Sequence, residues 1–296
     1  MEDAAVGIVI VGSGRVGSAL ANELMNAGER VIAVISRSPD DARARLRHHV
    51  PLVRDMVDVR GDVGMLIIAV PDDAIETVAR QMATRLPDPQ RICAVHTSGL
   101  KTSAALTPFA KLGADVLSFH PVVSFAPAPV AASQIGGCTV TLEGTERGVG
   151  AGRRLARTLG AFPMEVTVDQ KRIIHAAAVI AANYTVALAA TAGRLLNEAN
   201  FEALDAKRLL DPLMRSVISN LEATTVTNAL TGPIVRGDLD VIRRHLELLA
   251  DLEPNVARLY RSLGRATVDL AHSGGRIDDV TQKRMLDILG EGIERT

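Results

Sequence analysis

The chain contains no tryptophan and very few other aromatic residues, five Phe and two Tyr among 296 residues. Without large rings, a core must be assembled from Ala, Val, Ile and Leu. Cysteine is nearly missing as well. Cys93 and Cys138 provide neither a disulfide framework nor a metal-ligand spacing. Cys93 lies in the apolar run Ile92–Val95 and reads as a small buried hydrophobe. No sign of charge is in excess: the formal net charge is -1. That removes the electrostatic ground for a nucleic-acid or anionic-membrane partner. The first residues, MEDAAVGIVIVG, lack the basic n-region of a signal peptide, so a soluble cytoplasmic protein is expected. What is present is globular in character, with 47% hydrophobic and 23% charged residues.

One uncharged stretch, Ile173–Gly193 between Arg172 and Arg194, is long enough to span a bilayer. It carries His175, Asn183, Tyr184 and two Thr, and it has no second of its kind. We read it as a helix buried at the centre of a large domain or a dimer.

The first half alternates apolar runs with helical patterns, which predicts an α/β Rossmann domain with a parallel sheet over residues 1–167. The expected strands are Gly7–Val11, Val31–Ile35, Met65–Val70, Ile92–His96, Val116–His120, Thr139–Glu143 and Phe162–Val166, with a short one near Pro51–Val53. From 168 to 296 only helical spacing remains, broken at Asn200, Thr231-Gly232-Pro233, Pro254 and Ser273-Gly274-Gly275. That predicts an all-α domain of about five helices.

Strand Gly7–Val11 leads into Gly12-Ser13-Gly14-Arg15-Val16-Gly17 and then a helix. A G-x-G-x-x-G between strand and helix holds a dinucleotide. The glycines serve the tight turn, the approach to the pyrophosphate and helix–strand packing, and the helix N-terminus attracts the phosphates. The second strand ends in Ser36-Arg37-Ser38, where an NAD-selective domain has an acidic residue for the ribose hydroxyls. Two hydroxyls and a guanidinium suit a 2′-phosphate, so the expected cofactor is NADP(H). Val70, Pro71 and Ser98, at the ends of two further strands, are expected to border the nicotinamide. Asp72 or Asp73 is expected to cap the following helix.

Four motifs in order, HTSGLKTSAALTPFAKLGA, SFHPVVSFAPAP, HAAAVIAANYTVALAA and ALTGPIVRGD with HLELL, resemble a family of NADP-dependent oxidoreductases. Its members pair a Rossmann-like domain with a helical domain of unknown function. The resemblance extends to the superfamily of ketopantoate reductase, pyrroline-5-carboxylate reductase and 6-phosphogluconate dehydrogenase. It implies a 6-phosphogluconate-dehydrogenase-like helical domain and a place in pantothenate synthesis. Ketopantoate reductases carry Lys, Asn and Asn at four-residue intervals on the first long helix. That spacing reads His175, Val179, Asn183 here, with histidine in the lysine's place.

His175 suits proton donation to an alkoxide, with an unperturbed pKa of roughly 6.5. Asn183 suits holding the carbonyl oxygen or the nicotinamide amide. Each also fits a buried polar group satisfied within a bundle. His120, before Pro121, resembles the His-Pro at the cleft edge of prephenate dehydrogenases; it fits either a proton donor or an anchor for its loop, and His96 is similarly two-sided. Arg236 suits a bidentate grip on a substrate carboxylate, with Thr231 and Asn228 beside it and Ser98 across the cleft. Asp238 is expected to cap the next helix.

The resulting expectation is an NADPH-dependent reductase of a small 2-oxo acid, ketopantoate above all, acting as a homodimer on a carboxylate substrate without a metal. An imine reductase of the pyrroline-5-carboxylate type is the first alternative. A non-catalytic NADP-binding regulator is the second, and it is the missing lysine that sustains it.

Overall fold

The computed structural model describes residues 7–125 and 135–290. The acidic start, residues 126–129 of the SFHPVVSFAPAP motif and the last six residues lie outside them. The chain divides into two compact units, Met1–Asn183 and Tyr184–Thr296.

In chain order the first unit contains β1 (Gly7–Val11), α1 (Arg15–Asn26), β2 (Val31–Ile35), α2 (Pro39–Arg43), β3 (Leu52–Val53) and β4 (Val63–Ile68). There follow α3 (Ile75–Ala83), β5 (Cys93–His96), α4 (Thr107–Ala110), β6 (Asp115–Pro121), β7 (Thr139–Gly144), α5 (Glu146–Thr158), β8 (Phe162–Glu165) and α6 (Val168–Ala178). The strands form one eight-stranded sheet in the order β3-β2-β1-β4-β5-β6-β7-β8. All neighbouring pairs are parallel except β6 and β7, which run antiparallel. The expected parallel sheet is therefore present with one reversal.

The central strands are continuous apolar runs because both faces of the sheet are covered. Along β1 the side chains alternate. Ile8 and Ile10 pack with Leu20 and Leu24 of α1 and with Leu155 of α5, whereas Val9 and Val11 pack with Ile75 and Met82 of α3 and with Phe109 of α4. Each fully buried Ile, Leu or Val contributes about 1.5–3 kcal/mol. Stacked Val and Ile from several strands, with Phe109 and Phe119, thus compensate for the scarcity of aromatics. Cys93 belongs to this core, and burial pushes its thiol pKa up to about 12.

A π-helical segment, Val179–Asn183, joins α6 to the second unit. That unit comprises α7 (Tyr184–Glu198), α8 (Ala203–Ala223), α9 (Val226–Ala229), α10 (Pro233–Arg236), α11 (Leu239–Leu252), α12 (Pro254–Ser273) and α13 (Asp279–Gly290). The expected breaks are present. Asn200 takes a positive φ of 63° after α7, and Pro254 opens α12. A further break at Thr224 and Thr225 sets off the short helices α9 and α10. Its core comes from α11, α12 and α13, around Ile242, Leu246, Val268, Met285 and Leu289.

Two expectations meet the fold at this point. The switch from alternating to helical pattern occurs at α6, as read from sequence, but the compact units part only after Asn183. The cause is that α6 is fastened to the first unit by residues described below. The uncharged helix is also not buried within the chain. Val168–Glu198 is long and apolar enough to cross a membrane, yet no residue of its most apolar 18-residue window is fully buried. Val186 and Leu188 of α7 and Leu209, Leu213, Val217 and Leu221 of α8 stand exposed. Apolar faces of this kind require cover.

Candidate functional site

The glycine loop has the shape that a dinucleotide requires. Gly12 has φ +105°, and a Cβ there meets the Ala69 carbonyl oxygen at 2.3 Å, so no side chain fits. A Cβ on Gly17 falls 1.9 Å from the Gly12 oxygen, which locks α1 against the turn. Over Gly14, by contrast, a Cβ meets nothing within 4 Å. Gly14 is the N-cap of α1 and offers no side-chain cap, so the first N–H groups of that helix face open space. A floor that excludes side chains beneath an open, uncapped helix N-terminus fits a pyrophosphate.

Ser36, at the end of β2, is buried, and its hydroxyl lies 2.7 Å from that of Ser13. The Ser38 N–H donates to Ser36 Oγ at 3.2 Å. Arg37 is exposed and makes no ion pair among the described residues. This tip is joined directly to the glycine loop, as the 2′-phosphate reading requires.

At the ends of β5 and β6 a second constellation forms, and its centre is a residue that the sequence reading passed over. Lys171, on the second turn of α6, is 1% exposed, and its Nζ donates to the Ser98 carbonyl at 2.8 Å. Burial lowers its pKa from the ordinary 10.5 to about 8, against the opposing pull of Glu143 and Asp72. The helix starts firmly just before it: Thr167 and Gln170 form a reciprocal capping box. His175, one turn after Lys171, packs on Gly99. A Cβ at Gly99 comes within 2.4 Å of His175 Nδ1 and 2.9 Å of His120 Nε2. Gly99 is therefore needed because two imidazoles close on its backbone. The two rings stand edge-on with centroids 6.1 Å apart.

Burial, followed by the charge of Lys171, lowers the His120 pKa to about 4. Its Nδ1 is buried without a hydrogen-bond partner. His96 also falls to about 4, chiefly through burial. Its Nε2 donates to the Thr102 carbonyl at 3.0 Å and its Nδ1 accepts from the Ser98 N–H at 3.2 Å, which fixes it as a neutral structural residue.

Ser98 also works as scaffold. Its hydroxyl donates to Asp72 Oδ2 at 2.7 Å and accepts from the N–H groups of Leu100 and Lys101. The capping expectation for Asp72 and Asp73 is corrected accordingly. A turn closed by Ala74 N to Pro71 O delays α3 until Ile75, and Asp72 bonds Ser98 instead. Asn183 is exposed and is the last residue of the π-helical segment, so the regular four-residue spacing behind its pairing with His175 does not carry through.

In the second unit, Arg236 Nε donates to Asp238 Oδ2 at 2.9 Å, and Arg236 remains 62% exposed. Asp238 occupies the N-cap position of α11 but makes no capping bond, because its carboxylate turns to Arg236. Thr231 and Asn228 are both exposed.

Residues 1–121 match a family model described as a Rossmann-like domain, and residues 138–267 match a domain of unknown function, DUF2520. The chain is thus similar to a Rossmann-like domain in its first part and to DUF2520 in its second. Lys171 and His175 fall in the DUF2520 match, whereas Ser98, Gly99 and His120 fall in the Rossmann-like match, so the constellation draws on both. No curated protein matches the chain. Among solved structures, a Bacteroides fragilis protein, provisionally described as an NADP oxidoreductase, is 23% identical with a TM-score of 0.75, over 90% of this chain and 98% of its own. Protein TM1727 of Thermotoga maritima is 26% identical with a TM-score of 0.69, again over 90% and 98%. An imine reductase from Myxococcus stipitatus in complex with NADP+ is 17% identical with a TM-score of 0.61, over 95% and 99%.

Histidine does stand at position 175, but a lysine, Lys171, is close by. It stands one helical turn before the position at which the sequence spacing sought it. The signal was available: Lys171, His175 and Asn183 follow one another in the same helical run. Lys171 lies just outside the uncharged stretch Ile173–Gly193, where its charge reads as that of an ordinary helix start.

Proposed function

We propose that this Rossmann–DUF2520 protein is a cytoplasmic NADP(H)-dependent oxidoreductase that reduces the carbonyl of a small 2-oxo acid, with ketopantoate as substrate. The observation that carries the reading is Lys171: a buried ammonium with a pKa of about 8, held against the Ser98 carbonyl beside His175 and His120. The glycine loop and Ser36-Arg37-Ser38 hold the cofactor. Bound in its reduced form, the nicotinamide supplies hydride to the carbonyl carbon.

The chain's own residues supply the rest. Lys171 spends one N–H on Ser98 and keeps two for the substrate oxygen. With a pKa near the operating pH it both stabilises negative charge on that oxygen and delivers a proton to it. His120, neutral through the physiological range, contributes a hydrogen bond rather than a charge. His175 sits beside it and fixes the rim at Gly99. Arg236 with Thr231 and Asn228 takes the substrate carboxylate, and Asn183 orients the carboxamide.

Charge separates this reading from imine reduction, the activity named for the Myxococcus stipitatus structure. An ammonium favours a carbonyl that gains negative charge and opposes a cationic iminium. The regulator reading rests on the lysine missing at position 175, and the buried Lys171 one turn earlier favours the catalytic reading over it. We further propose that the chain works as a homodimer, with a second copy covering the apolar faces of α7 and α8. A monomer by light scattering at micromolar concentration refutes the dimer.

The functional test is NADPH oxidation by the purified protein with ketopantoate, with NADH and a cyclic imine in parallel. Turnover with NADPH and ketopantoate is the expected result. Turnover only with the imine, or none while NADPH stays bound, overturns the substrate assignment.

A further inference from the structure

Residues 45–48 follow α2 as an exposed connection, yet they are fastened to α1 with unusual care. Asn22, 9% exposed, grips the segment with both ends of its amide. Its Nδ2 donates to the Arg45 carbonyl at 3.0 Å, and its Oδ1 accepts from the Arg47 N–H at 2.8 Å. One turn further along α1, Asn26 Oδ1 lies 2.7 Å from His48 Nε2. Positions 22 and 26 share a helix face, so the two amides form a short polar rail. Burying an amide is costly unless both its ends are bonded, and here the connection supplies the partners.

The rail fixes where Arg45 stands. Its guanidinium reaches back to the glycine loop and donates to the Ser13 carbonyl at 3.2 Å. That carbonyl already accepts from Ser18 Oγ at 2.9 Å, and the Ser13 hydroxyl is the one that meets Ser36. Among the described residues no carboxylate pairs with Arg45, Arg37 or Arg15. An arginine parked on a neutral carbonyl, with most of its donors uncommitted, is poised for an anion. A phosphate displaces such a contact because its bonds are charge-assisted and bidentate.

We infer that Arg45, positioned by Asn22, is a second arginine for the ribose 2′-phosphate and the chain's further determinant of NADP(H) over NAD(H). It approaches the tip of β2 from the α2 side, and Arg37 belongs to that tip itself. The inference rests on the NADP(H) reading above, and the test keeps the two apart.

NADPH and NADH are titrated against the full-length protein by nicotinamide fluorescence, for the wild type and for Arg45→Ala, Arg45→Lys and Asn22→Ala. Arg45 is exposed, so its variants keep the fold, and melting curves verify this. Arg45→Ala weakens NADPH roughly tenfold to a hundredfold, the range for a hydrogen-bonded charge contact. It leaves NADH unchanged and flattens the salt dependence of NADPH binding. Arg45→Lys recovers part of the loss, and Asn22→Ala loses NADPH selectively but less. Equal losses for both nucleotides, or none, overturn the inference while the NADP(H) reading stands. A wild type that binds the two alike refutes both.

Discussion

Replacing Lys171 with methionine yields a protein that is more stable and inactive, and the size of both effects follows from the site. The side chain is 1% exposed, and burial brings its pKa from 10.5 to about 8. A shift of that size costs the folded state about 3 kcal/mol at pH 7. Methionine fills similar volume without charge and forfeits the bond to the Ser98 carbonyl, about 1 kcal/mol. The variant is then about 2 kcal/mol more stable at pH 7. The pH dependence fixes the sign. The unfolded chain keeps the lysine proton up to 10.5, whereas the folded chain keeps it only to about 8. Between those values the unfolded state binds more protons, so wild-type stability climbs with pH relative to the variant. The variant's lead is full below pH 8 and fades toward pH 10.5. Denaturant unfolding of both proteins at pH 7 and pH 10 measures the difference with all other titrations cancelled. Turnover falls by roughly 10²- to 10⁴-fold, as for loss of a general acid. A variant less stable than wild type at pH 7, or a gap that widens with pH, refutes the desolvated-lysine account. Full activity refutes its catalytic role.

Gly99→Ala drives a Cβ to 2.4 Å from His175 Nδ1 and should cost about 1–3 kcal/mol in thermal unfolding, with turnover falling as the two imidazoles part. Gly12→Ala meets the Ala69 carbonyl at 2.3 Å in a left-handed turn, so NADPH titration should show cofactor affinity lost. His120, with its pKa lowered from 6.5 to about 4, binds its proton more readily in the unfolded chain. Wild-type stability therefore falls as pH drops from 6.5 toward 4, and His120→Asn makes that fall shallower in melts at the two pH values. Arg236→Ala raises KM for the 2-oxo acid with a smaller effect on kcat, measured by initial rates.

The sequence by itself determined the elements. Runs such as Val31–Ile35 are apolar on both faces and admit only a covered central strand, and Gly12, Gly14 and Gly17 between strand and helix admit little but a nucleotide turn. The change to helical spacing at 168 was equally legible, because periodicity is a local property of the chain. The tertiary structure decided what depends on residues distant in sequence. Asp72 looked like a helix cap until Ser98 was found beside it, and Asp238 until Arg236 turned to it. Gly99 looked like a strand-end glycine until two histidines closed on it. Lys171 reads as one more charge at a helix start, and only burial against Ser98 lowers its pKa. A pKa and a close contact are set by the neighbours that folding brings together, and sequence spacing carries no record of them.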